Sequence, residues 1–587
     1  MLTSRFTWFA IFMFTTSVGS LAQTDATPGN TIRIEFNVRV PMRDKVTLSA
    51  DVYRPAKEGR FPVILTRTPY NKNGAGPLRA GRYFASHDYV YVAMDDRGRG
   101  DSDGVFRPFR DEGLDGYDAI EWCSRQSWSS GKVGTIGASY VGYNQWLAAV
   151  QQPPHLTTMI VMVTMTDPFA DMNISSPGGL PSPTTASWYH YIAGHVLQNM
   201  NAVDWGQLNW HLPLYTMDET AGRPNQYWKD LVAHSKLDEW WEPFRYQNKY
   251  AKVRVPVFHI SGWYDDALLA TPMNFAGMRG QGATEEIRNS QKMLIGPWPH
   301  AINSTSHIGA VEFGSTAIID LEGTQLRWFD YWLKGIANGV MSEPPARLFL
   351  MGKNEWTTAT DWPPPGTEPT KYYLHGGGKA NTLNGDGTLS TSAPAREPAD
   401  HYIYDPANPA PFLTEPSFAQ LGGPDDYRPV ERRSDVLVFT SEELKTETSV
   451  CGPLRAEVYA ASSATDTDFT AMLIDVWPNG FAQRLNDGLA RARFREGMDK
   501  PSPIEPGNIY RYEINMWHTC QAFLPGHRIR VEIASSAFPK FDRNLNTGEE
   551  LGRTTKMITA QQTLYHDAEH SSFVELPVLK GTAGSIR

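Results

Sequence analysis

Three strand-like runs in this 587-residue chain each lead into a side chain that could take part in acyl transfer. "KVGTI" leads to Ser139, "VPVFHI" to Asp265 and Asp266, and "KMLI" to His300. A serine hydroxyl is a weak nucleophile unless a base takes its proton as it attacks. An imidazole does this near neutral pH and later returns the proton to the leaving group. A carboxylate then fixes the imidazole tautomer and stabilises the imidazolium. Ser139, His300 and Asp265 are the candidates for these three roles. Asp266 is the alternative acid, but neighbouring residues at a strand end point different ways and Asp265 is preferred. His307 stands as an outside alternative to His300, and His259, inside a strand, reads as a core residue.

Elements that could position such groups follow from the pattern. Residues 32–165 and 251–345 alternate β-rich apolar runs with amphipathic stretches. One such stretch is "DEGLDGYDAIEWCSRQ", where Leu114, Tyr117, Ile120 and Trp122 are taken to form a helix face. "YVGYNQWLAAVQQ" reads as a helix stopped by Pro153 and Pro154. Alternation at this spacing predicts a mostly parallel sheet with helices on both faces. Such a sheet presents its chemistry at the carboxyl ends of its strands. The order serine, aspartate, histidine is that of α/β-hydrolases. The glycine after the serine comes at Gly142, one place later than in G-x-S-x-G, so the short motif alone is weak and its context carries it.

Residues 166–250 break the alternation and are rich in aromatics, including Trp188, Trp205, Trp228, Trp240 and Trp241. They read as a helical cap inserted over the sheet, with those aromatics chiefly forming its own core. "DWPPPGTEPT" (361–370) is a proline-rich linker. From 371 to 587 the pattern is all-β, with period-two strands such as "HRIRVEIASS", in which Ile529, Val531 and Ile533 face one way and Arg528, Arg530 and Glu532 the other.

The first 22 residues have one basic residue, Arg5, a 14-residue uncharged, largely apolar run and a small-residue cleavage site at "SLA". This reads as a signal peptide, too short to span a bilayer comfortably, and predicts export to the periplasm or medium with no stable membrane span after cleavage. A net charge of −10 argues against nucleic acid as a partner. Of three cysteines, Cys451 and Cys520 could pair and leave Cys123 free, or all three could be buried thiols. The cysteine spacing offers no zinc site. Asp466, Asp468, Asp475 and Asp487 could ligate Ca²⁺ but are better read as solvated turn and strand positions, so no metal and no cofactor are expected. Asp96 and Arg97 read as a structural ion pair near the site.

Several motifs together resemble one family. "RTPYNK" (67–72), "DDRGRGDSDG" (95–104), "SWSSGKVGTIGASYVGY" (127–143), "SGWYDD" (261–266), "GPWPH" (296–300) and "SSATDTDFTAMLIDVWPNG" (462–480) are similar to the cocaine-esterase / glutaryl-7-aminocephalosporanic-acid acylase family of serine hydrolases. That family is related to X-prolyl dipeptidyl aminopeptidases and α-amino-acid ester hydrolases. The likeness runs from about 32 to 580. It implies an α/β-hydrolase core, a helical cap and a C-terminal jelly roll. It also implies that Ser139, Asp265 and His300 form a triad, with the backbone N–H of Tyr140 and the phenol of Tyr70 as oxyanion donors. Asp171, Trp263 and Trp298 are candidates for the substrate pocket.

The resemblance further implies hydrolysis of a small-molecule ester or amide through an acyl-enzyme. Relatives that bind a free α-amino group use acidic residues just after the triad aspartate, where this chain has Ala267 and Leu268. An uncharged or aromatic acyl group therefore fits better than an N-terminal dipeptide. X-Pro dipeptidyl-peptidase or amino-acid ester hydrolase activity is the alternative within the class. A non-catalytic carbohydrate-binding protein with a decayed hydrolase core is the alternative outside it.

Overall fold

The computed structural model describes residues 32–171, 174–414 and 422–580. The expected signal peptide lies outside them. Ten strands form the core sheet: β1 (Ile32–Pro41), β2 (Thr47–Pro55), β3 (Phe61–Thr68), β4 (Val90–Asp95), β5 (Ser129–Ala138), β6 (Leu156–Met162), β7 (Val257–Gly262), β8 (Lys292–Gly296), β9 (Ala346–Leu350) and β10 (Glu355–Ala359). Their spatial order is β1-β2-β4-β3-β5-β6-β7-β8-β9-β10. The run from β4 through β3, β5, β6, β7 and β8 to β9 is parallel, and antiparallel partners close both edges. The core sheet thus reaches Ala359, beyond the expected end at residue 345, because β9 adds in parallel to β8 and β10 returns along it.

Continuous apolar runs suit strands buried on both faces, since successive side chains leave a strand on opposite sides. Val63, Leu65, Val90, Val92, Met159 and Val161 join one core with Ala119, Ile120 and Trp146 of helices Glu112–Ser124 and Tyr140–Ala149. Their neighbours Ile64, Tyr91, Ala93 and Ile160 join a second core with Phe84 of helix Ala75–Ser86 and Trp328 and Phe329 of helix Leu321–Lys334. In helix Glu112–Ser124 the buried face runs through Gly113, Gly116, Ala119, Ile120 and Cys123. Leu114, expected on that face, is 50 % exposed. Gly116 is needed there, because a Cβ would stand 2.5 Å from Cβ of Ala148.

Residues 174–250 form short helices, among them Ala186–Tyr191 and Gln226–Ala233, and 3₁₀ turns. Trp228, Trp241, Phe244 and Tyr246 are buried and continuous with the first core. Beyond β10 comes an all-β domain of mainly antiparallel strands. Its first strand, Thr367–His375, takes up the last four residues, 367–370, of the stretch expected to be a linker. Cys451 and Cys520 stand opposite each other on strands Thr448–Ser462 and Tyr510–Phe523 and form a disulfide, and Cys123 is a buried thiol.

Several polar positions of this domain are buried, although the Arg528 side chain is 41 % exposed as expected. Arg530 and Glu532 are buried together with Val531 between them, and Arg530 donates to Glu431 at 2.7 Å. Asp466, Asp468, Asp475 and Asp487 are also buried rather than on wet faces, and each has a cationic or basic partner. They meet Arg493 at 2.7 Å, Arg491 at 2.8 Å, His527 at 2.7 Å, and Arg484 and Lys540 at 2.8 and 2.7 Å. A buried carboxylate without such a partner would be strongly penalised. Among the described residues no helix is long and apolar enough to cross a membrane.

Candidate active site

The chain order reverses between β3 and β5, and their carboxyl ends flank a crevice, the place where open α/β sheets bind ligands. Ser139 occupies the turn from β5 into helix Tyr140–Ala149, with φ 60° and ψ −128°. A non-glycine residue in that region stores on the order of 1–3 kcal/mol of strain, held only if its surroundings over-determine it. Here they do. Ser139 N–H donates to the Met162 carbonyl at 2.9 Å, and the Ser139 carbonyl accepts from Gly142 and Tyr143 N–H, both at 2.9 Å. The flanking glycines permit the tight approach. A Cβ on Gly137 would lie 2.1 Å from Cγ1 of Val141, and one on Gly142 would lie 3.0 Å from the Met162 carbonyl.

The serine side chain does not cap its own helix. The Tyr140 phenol is turned into the core, where it donates to Glu112 at 2.6 Å and accepts from Phe109 N–H at 2.9 Å. From Tyr140, therefore, the group at the active-site end is the backbone N–H, which opens the helix and carries its positive dipole end. Tyr70 follows β3. Its hydroxyl lines the same cavity as Ser139, whose side chain acts on it, and accepts from the Trp188 indole N–H at 3.0 Å. Burial pushes the Tyr70 phenol up to about 12, against the smaller opposing effects of Trp188 and Ser139. It is a hydrogen-bond donor throughout the physiological range.

Asp265 and His300 meet because two loops are stitched together. Gly262 and Gly296 are in register at the ends of β7 and β8. Trp263 N–H donates to the Gly296 carbonyl at 2.9 Å, and Tyr264 N–H to the Trp298 carbonyl at 3.1 Å. A Cβ on Gly262 would sit 2.0 Å from that Trp298 oxygen, so the loops close only around glycine. His300 Nδ1 then lies 2.8 Å from Oδ1 of Asp265. Asp265 is buried and also accepts from Ser261 Oγ at 2.7 Å and Ala267 N–H at 3.0 Å. Asp266 Oδ1 lies 3.0 Å from the same histidine nitrogen. Burial disfavours the imidazolium, but the Asp266 and Asp265 charges and hydrogen bonds outweigh it and hold His300 well above the ordinary histidine range.

A cavity of about 1010 Å³ opens onto Ser139, Tyr70, His300 and Asp266. Its apolar wall includes Met162, Met165, Trp188, Tyr191, Leu197 and Met200, the last four from the cap. The three expected pocket residues are elsewhere. Asp171 is buried and accepts from Thr166 N–H and Oγ1, both at 2.9 Å. Trp263 and Trp298 are buried and brace their loops, donating to the Phe349 and Ala317 carbonyls at 2.7 and 2.8 Å. None of the three lines the cavity. Arg97 does not pair with Asp96. It binds Asp115 and Asp44 at 2.6 and 2.7 Å, while Asp96 is buried in the field of Arg67. His307 is exposed and 3.6 Å from Glu312, and His259 is buried against Gln291 at 3.1 Å. Asp265, Asp266 and His300 lie close enough together to ligate a metal, but in the arrangement described Nδ1 already faces two carboxylates.

Sequence reasoning missed Trp188 and Ser261 as supports of the site. The first arrives from a cap element over a hundred residues away, a relation no local pattern announces. The second was visible only as the small polar residue four places before Asp265.

Comparison with known proteins fits this architecture. Residues 44–302 match the model of the X-Pro dipeptidyl-peptidase (S15) family, and residues 338–575 match that of the X-Pro dipeptidyl-peptidase C-terminal non-catalytic domain. The chain is similar to the cocaine esterase of Rhodococcus sp. (strain MB1 Bresler), 36 % identical over 93 % of this chain and 99 % of that one. It resembles the solved α-amino acid ester hydrolase with a TM-score of 0.81 and 25 % identity, over 96 % and 99 % of the two chains. It also shares the fold of an aminopeptidase from a marine-sediment Thaumarchaeota archaeon, with a TM-score of 0.82 and 24 % identity over 95 % and 97 %.

Proposed function

The chain belongs to the family of serine hydrolases represented by this cocaine esterase and the S15 dipeptidyl-peptidases, and from that premise we propose that it is an exported acyl esterase using Ser139, His300 and Asp265 as its catalytic triad. Ser139 Oγ attacks the scissile carbonyl while His300 Nε2 takes its proton, and Asp265 holds the proton on Nδ1. The oxyanion accepts from Tyr140 N–H and from the Tyr70 hydroxyl, which is held by the Trp188 indole N–H. His300 returns the proton to the leaving alcohol, and a water repeats the sequence to release the acid.

The observation that carries this reading is the strained Ser139 turn opening onto the same cavity as His300 and Tyr70. The apolar cap wall favours an uncharged, aromatic or branched acyl group. An N-terminal ammonium would need carboxylates free to meet it, but Asp171 is engaged by Thr166, Asp266 by His300 and Glu322 by Arg79, and Asp320 caps helix Leu321–Lys334. Export is consistent with the Cys451–Cys520 disulfide. The test is hydrolysis by the purified mature enzyme. Aryl esters of apolar acids should be cleaved faster than glycyl-prolyl-anilide, and the reverse order would favour the dipeptidyl-peptidase reading.

A further inference from the structure

We propose that Asp266 is a second carboxylate partner of the general base, bracketing His300 Nδ1 together with Asp265 and positioning the ring from the cavity side. This rests on the reading of His300 as the base that serves Ser139.

The two carboxylates differ in what else they do. Asp265 is sealed in the protein and accepts from Ser261, Ala267 and His300. Asp266 lines the cavity and its side chain is 12 % exposed, with Oδ1 3.0 Å from the nitrogen that Asp265 contacts at 2.8 Å. The imidazole is thus held between an inner carboxylate that fixes the tautomer and an outer one that adds charge without being needed for it. The tight turn sets this spacing, with Asp265 N–H donating to the Gly262 carbonyl at 3.1 Å and Leu268 N–H to the Asp265 carbonyl at 3.1 Å.

A further charge that acts on Asp266 comes from the all-β domain. Lys540 is buried, feels Asp266, and is bound to Asp487 at 2.7 Å. Asp487 is shared between Lys540 and Arg484, which it meets at 2.7 and 2.8 Å, so it answers the Lys540 charge only in part, but the Asp265 and Asp266 carboxylates are the charges in contact with His300 and favour its imidazolium. An opposite charge within about 4–6 Å raises a histidine by 1–3 pH units. Asp266 therefore stabilises the imidazolium formed as Ser139 attacks, and confines full activity to a higher pH than a single-carboxylate triad would need.

The experiment follows the second-order inactivation rate by an uncharged fluorophosphonate against pH, for wild type, Asp266→Asn and Asp266→Ser, with near-UV circular dichroism as the check on folding. The small serine repeats the test should the amide disturb packing. An uncharged probe removes any effect of Asp266 on substrate charge. The acidic limb of both variants should move down by about one pH unit or more, with a plateau rate about tenfold lower. A limb that stays at the wild-type position in folded variants, whether or not the plateau falls, would overturn the proposal, because a merely structural role changes the plateau and leaves the limb. Folded wild type that is not inactivated at any pH would instead overturn the reading of Ser139 and His300 themselves, and this inference with it.

Discussion

The indole N–H of Trp188, carried by the cap, donates to the hydroxyl of Tyr70, carried by the core, at 3.0 Å. This bond occupies an acceptor position of the phenol oxygen and, on the proposed mechanism, leaves its proton for the oxyanion. Tyr70→Phe should lower kcat by about 10²–10³-fold, the usual effect of losing one oxyanion donor, with KM little changed. Trp188→Phe keeps an aromatic wall but frees the phenol, and should cost about 1 kcal/mol, roughly fivefold in kcat. Steady-state kinetics on an aryl ester separates the two.

On the proposed mechanism His300 sets the pH dependence. Attack requires the neutral imidazole, and the Asp266 and Asp265 charges, acting against burial, hold its protonation well above the ordinary histidine range. The kcat/KM profile should therefore rise through a midpoint above about 6.5. The same raised value stabilises the fold. That contribution is fully present below the unfolded histidine value and is lost as pH rises through the folded one. A midpoint at or below 6.5 would contradict the geometry.

Ser139 trades stability for position. Glycine adopts φ 60° without a Cβ penalty, so Ser139→Gly should abolish turnover yet raise unfolding stability by about 1 kcal/mol or more. Thermal melts of wild type, Ser139→Gly and Ser139→Ala check this, with only the glycine variant gaining.

Arg491 joins the all-β domain to the cap. It binds Asp468 at 2.8 Å and Asp542 at 3.0 Å and donates to the Gly178 carbonyl at 2.6 Å, all buried. Arg491→Met strands two carboxylates and should destabilise by about 3–5 kcal/mol, read as a fall in melting temperature. Removing an exposed cation such as Arg33 should change it little.

The core was legible because its signals are local. Val63, Ile64 and Leu65 are apolar in succession because both faces of β3 are covered, and Ser139, Asp265 and His300 each follow a strand end. Most of the errors come from chain-distant packing, which leaves no local trace, and one, at Asp171, from a local contact that was overlooked. Asp468 and Asp487 look like wet strand positions until Arg491 and Lys540 cover them. Trp263 and Trp298 look like pocket aromatics, but their indoles brace loops against Phe349 and Ala317. Asp171 looked free to meet substrate, but Thr166 five residues earlier engages it.

The most direct test of the central claim is mass spectrometry of the mature protein after treatment with a fluorophosphonate. The account predicts a single adduct, located on the peptide carrying Ser139 and absent in Ser139→Ala. Folded wild type that takes no adduct, or takes it on another residue, would contradict it.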